Sequence, residues 1–80
     1  MDSMYKVSIY NKSKKMVAVY DKIHTIKYAD ILGETITISG EEIMTHNFPT
    51  TCNYQLLSDG GNYSINESVI GTFEITKVVY

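Results

Sequence analysis

IHTIKYADILGETITIS, residues Ile23 to Ser39, is the stretch whose reading decides the fold. Ile26 and Tyr28 alternate with polar neighbours on one side of a break, and Ile36 and Ile38 do the same on the other. A period of two places each pair on one face of an extended strand. The break, built on Asp30, Gly33 and Glu34, is short enough to fold one strand back on the other. The stretch therefore predicts a β-hairpin with one dry face and one wet face.

Working outward from it, the apolar phase changes. Upstream, Val17 and Val19 oppose Met16, Ala18 and Tyr20, and after Asp21-Lys22 the phase moves from odd to even positions. A one-residue phase change inside extended chain is what a β-bulge or sharp bend produces, and it lets one long strand serve two sheets or turn a corner. Before it, Tyr5, Val7 and Ile9 alternate with Lys6, Ser8 and Tyr10, and the polar turn from Asn11 to Lys14 joins the two strands as a hairpin.

Downstream, Ser39 and Glu42 fit a capping box, while Gly40-Glu41-Glu42 equally reads as a turn. The segment Ile43 to Phe48 is read as a strand in preference to a helical turn, stopped at Pro49. Cys52, Tyr54 and Leu56 alternate as a further strand. Asp59-Gly-Gly-Asn62 is a strong turn signal, and Tyr63 with Ile65, then Phe73 with Ile75, mark the last strands. About seven short strands with tight turns predict a single all-β domain over residues 1–80, a small antiparallel barrel or sandwich.

Size limits function. Eighty residues can remove only about 60–65% of the unfolded surface from water, so the core is thin and a deep pocket inside one chain is not expected. Six of the seven lysines precede Asp30, and seven of the nine carboxylates follow from it, so the chain is basic and then acidic. No arginine is present, which counts against base-specific nucleic-acid recognition. The abundance of Ile, Lys, Asn and Tyr suits AT-rich coding, as in low-GC bacteria and their phages. A single cysteine, no basic-then-apolar leader and no apolar run near 20 residues lead to the expectation of a cytoplasmic protein with no membrane association.

The chemistry-bearing residues are sparse. His24, His46 and Cys52 lack the paired spacing of a metal site, so no metal and no cofactor are expected. Cys52 falls in phase with Tyr54 and Leu56 and reads as a packed thiol, not a nucleophile with His46 as base. Glu41 and Glu42 are adjacent and have no cleft in which to act as a hydrolytic pair.

Three readings of function follow. The first is a non-enzymatic interaction module that contacts a protein partner, of a size that suits a phage or mobile-element accessory protein acting on a host protein. The second is a small barrel binding single-stranded nucleic acid through Lys6, Tyr10, Lys14, Lys15, Tyr20, Lys22, Lys27 and Tyr28, where positive charge is interleaved with aromatic rings; Tyr10 and Tyr20 read alternatively as a cross-strand pair. The third is an oligomer holding a nucleotide or other small molecule between subunits. The apolar run Lys77-Val78-Val79-Tyr80 is expected either to pair within the sheet or to form an edge through which a homo-oligomer assembles.

Overall fold

The computed structural model describes residues 3–79. In chain order they form β1 (Ser3–Tyr10), β2 (Met16–Ala29), β3 (Thr35–Ser39), a four-residue helix α1 (Glu42–Thr45), β4 (Tyr54–Ser58), β5 (Gly61–Ile65), a 3-10 turn (Glu67–Val69) and β6 (Thr72–Val79). All strands pair antiparallel in one sheet of order β5-β4-β2-β1-β6, with β3 also on β2. The protein is all-β.

β2 organises this sheet. Its first half pairs with β1, from Tyr10 opposite Met16 to Tyr5 opposite Ile23. Its second half is flanked on both edges, by β3 (Ile26 opposite Ile38, Tyr28 opposite Ile36) and by β4 (Ile26 opposite Leu56, Tyr28 opposite Tyr54). A straight strand of this length would run about 45 Å, longer than any axis of the 34 × 30 × 23 Å molecule. It bends where the sequence changes phase: the register with β1 slips between Tyr5 and Val7, and Lys22 takes φ 58°. An L-residue in that left-handed region costs about 1 kcal/mol, and the bulge increases local twist. The two expected strands on either side of Asp21-Lys22 are thus one strand turning a corner.

The bend folds the sheet over a single core. Tyr5, Val7 and Ile9 from β1, Ile23, Ile26 and Tyr28 from β2, Ile38, Ile43, Tyr54, Leu56, Ile65 and Ile70 are all buried together. Tyr54 on β4 and Phe73 on β6, with two strands between theirs in the sheet order, meet with ring centroids 4.9 Å apart, which only a folded-over sheet allows. Among the described residues the sheet does not close into a barrel: β5 and β6 each have one strand neighbour.

Two corrections to the sequence reading follow. Residues 43–48 are not a strand; Glu42–Thr45 is helical and drives Ile43 into the core at 1% exposure, while α1 packs against both β3 and β6. Cys52 precedes β4 in a loop, half-buried against the core. The described residues form six strands, in keeping with the expected number of about seven. Gly71 is the glycine the packing demands: a Cβ there would lie 2.4 Å from the carbonyl carbon of Asn11, where the Gly71 N–H donates to the Tyr10 carbonyl.

Candidate functional site

The two turns at the ends of β2 share one backbone design. In Asn11–Lys15 the N–H of Asn11 donates to the Lys15 carbonyl, and the Asn11 Oδ1 accepts from the N–H groups of Ser13 (2.9 Å) and Lys15 (3.0 Å). In Asp30–Glu34 the N–H of Asp30 donates to the Glu34 carbonyl, and the Asp30 Oδ1 accepts from the N–H groups of Leu32 and Glu34, both at 2.9 Å. The fourth residue of each is left-handed, Lys14 at φ 64° and Gly33 at φ 82°. A side chain that caps its own turn in this way fixes the loop backbone.

Their surfaces are opposite in character. The first turn presents exposed Lys12, Lys14 and Lys15. The second presents two aliphatic side chains to solvent, Ile31 at 98% and Leu32 at 82% exposure, between the carboxylates of Asp30 and Glu34. A rigid turn carrying two adjacent, almost fully exposed aliphatics is a preorganised apolar knob, and such exposure marks interaction sites.

A second apolar surface lies where the bend brings the first half of β2 alongside β5 without strand pairing. The rings of Tyr20 and Tyr63 pack there with centroids 4.8 Å apart and planes tilted by 37°. A hollow of about 300 Å³, lined by Ile9, Val17, Ala18, Ile65 and Val69 and by the polar Ser64 and Asn66, opens beside Tyr20. Val17 and Val69 are exposed at its rim. The basic turn adjoins it, since Lys15 stands two residues before Val17 and the Gly71 backbone abuts Asn11 and Lys12.

The expected lysine and tyrosine set does not share one face. Lys6 is exposed between buried Tyr5 and Val7; Lys14 and Lys15 lie on the basic turn; Lys22 is at the bulge; Lys27 is half-buried between buried Ile26 and Tyr28. Tyr28 is core, 7% exposed, and shares a 2.7 Å hydrogen bond with His46 Nε2, so it is withdrawn from any stacking platform. Tyr10 lies opposite Met16 and Tyr20 opposite Val7, so the two tyrosines are not a cross-strand pair. Of the expected oligomer edge, Lys77 reaches Glu41, the residue before α1, at 3.2 Å, Val78 pairs with Met4 and Val79 with Ser3, while Tyr80 lies outside the described residues.

Around Tyr28 an aromatic cluster forms with His46, Phe48, Tyr54 and Phe73, with centroid separations from 4.7 to 6.3 Å. The Tyr54 hydroxyl donates to the Pro49 carbonyl. Burial pushes both tyrosine hydroxyls above their ordinary pKa, with the neighbouring Cys52 adding to it. His46 is engaged in this packing, and His24 faces Asp59 at 3.5 Å elsewhere. Among the described residues no group of three His, Cys, Asp or Glu is placed to hold a metal ion, and no helix is long and apolar enough to cross a membrane. The open concavity beside Lys27, about 460 Å³ and lined by Asn53, Gln55, Ser64 and Asn66 as well as Tyr54, offers polar groups but no carboxylate.

Ile31 and Leu32 are the residues the sequence reading passed over. Their signal was present: two aliphatics inside an Asx-initiated turn ending in glycine have no strand face to occupy. Compared with family models, curated proteins and solved structures, the chain matches none.

Proposed function

We infer that this chain is a non-enzymatic protein-binding module whose contact point is the β2–β3 turn. The observation that supports the reading is the exposure of Ile31 and Leu32 on a turn whose backbone Asp30 already fixes. Burying the pair in a partner's apolar pocket would gain about 3–5 kcal/mol of transfer free energy, and the fixed backbone removes most of the ordering cost that a flexible loop would incur. Asp30 and Glu34 favour a pocket with basic groups at its rim. A chain of this size and composition suits an accessory protein of a phage or mobile element, acting in the cytoplasm on a host protein.

The test compares immobilised wild-type chain with the Ile31→Ser, Leu32→Ser variant. A protein retained only by the wild type, whose binding protects residues 29–35 from hydrogen exchange, supports the reading. Retention by both forms, protection confined to another surface, or no retained protein overturns it.

A further inference from the structure

The two turns of β2 fit each other as well as they fit any outside partner. One end of the strand carries an aliphatic pair between two carboxylates; the other carries a turn of three lysines that leads into a hollow with an aliphatic wall of Val17, Ile65 and Val69 and a polar edge of Ser64 and Asn66. We propose that the chain self-associates head to tail, the Ile31–Leu32 knob of one copy seating in the Ile9, Val17, Val69 hollow of the next. This rests on the same reading of the knob and names its partner as a second copy.

Three observations carry it. At about 300 Å³ the hollow corresponds to roughly ten waters of liquid volume, room for one isoleucine and one leucine side chain. Charges match in sign: Asp30 and Glu34 immediately flank the knob, and Lys12, Lys14 and Lys15 lie in the turn that leads into Val17, with Glu67 the acidic residue two positions before Val69. Lys14 also holds a left-handed backbone conformation that the twin turn gives to Gly33, so a charged side chain is kept where glycine would fit the backbone better. A contact between two different surfaces is heterologous, and it propagates as a ring or an open chain instead of stopping at a two-fold dimer.

The test uses light scattering on the full chain across a concentration series. Wild type is expected to rise in mass beyond a dimer, and moving from 50 to 500 mM salt is expected to weaken association about fivefold or more. The knob variant Ile31→Ser, Leu32→Ser and the hollow variant Val17→Asp, Val69→Asp are each expected to be monomeric. Mixed one to one, they are expected to form a single heterodimer, because one intact knob then meets one intact hollow. Lys12→Glu, Lys14→Glu, Lys15→Glu serves as the hollow variant should the valine changes fail to fold. A wild type that stays monomeric throughout, a two-fold dimer indifferent to the knob variant, or separate monomers in the mixture overturns the proposal. A foreign protein lost by the knob variant of a strictly monomeric chain would remove self-association and leave the binding-module reading standing.

Discussion

The rings of Tyr20 and Tyr63 pack with centroids 4.8 Å apart although β4 stands between their strands in the sheet. Side chains, not backbone hydrogen bonds, span this gap, and the bulge at Lys22 supplies the turn that lets them meet. A double-mutant cycle with Tyr20→Ala and Tyr63→Ala is expected to give a coupling of about 0.5–1.5 kcal/mol in urea denaturation. Additive single effects would mean that the two rings do not brace the fold.

The twin turns predict an asymmetric exchange. Lys14→Gly relieves a left-handed L-residue and is expected to raise stability by about 0.5–1 kcal/mol, whereas Gly33→Lys introduces the same strain and lowers it by about 1 kcal/mol. Chemical denaturation of the two variants checks the signs.

Gly71→Ala is expected to cost about 3 kcal/mol, because the added methyl would meet the backbone of Asn11 and Lys12, which has no rotamer with which to yield. Gly60, with open space around it and no left-handed backbone, is the control. Its alanine variant is expected to stay within about 0.5 kcal/mol of wild type.

The Tyr5 hydroxyl is buried with no hydrogen-bond partner among the described residues. Tyr5→Phe removes a desolvated polar group and keeps the ring, so it is expected to stabilise by about 1 kcal/mol. Tyr54→Phe, which deletes the bond to Pro49, is expected to destabilise by about 1 kcal/mol. Melting temperatures of the two variants should move in opposite directions.

Alkaline pH is expected to unfold the protein through its aromatic cluster. Burial holds the Tyr28 and Tyr54 hydroxyls above the ordinary tyrosine value of 10.0. The folded chain thus keeps two protons that the unfolded chain releases first. Their stabilisation is complete below about pH 10 and is lost as pH rises beyond it. Urea midpoints from pH 8 to 12 should fall above pH 10 in the wild type. The drop should be shallower in the Tyr28→Phe, Tyr54→Phe variant.

How much of this could be read in the chain follows from the range of each signal. The pairing of Ile26 with Ile38 and Tyr28 with Ile36 was legible because alternation and a capped turn are local, and the corner at Lys22 was legible as a phase change. The helical turn at Glu42–Thr45 was not, because four residues carry too little propensity to decide and the burial of Ile43 settled it from outside. Tyr28 resembled an exposed stacking residue until a partner 18 positions away, His46, accounted for its hydroxyl. The knob was hidden for the opposite reason: Asp30 and Gly33 announce a turn so strongly that the two side chains between them passed as filler.

Because β2 runs unbroken from the basic turn to the apolar one, a pull applied between those tips loads a covalent backbone lengthwise instead of shearing one strand from another. The compliant point along that tether is the left-handed kink at Lys22, so tension would first straighten the corner and part the Tyr20 and Tyr63 rings. The molecule is in mechanical terms a strut with a single elbow, and the Tyr20–Tyr63 pair is the brace across it.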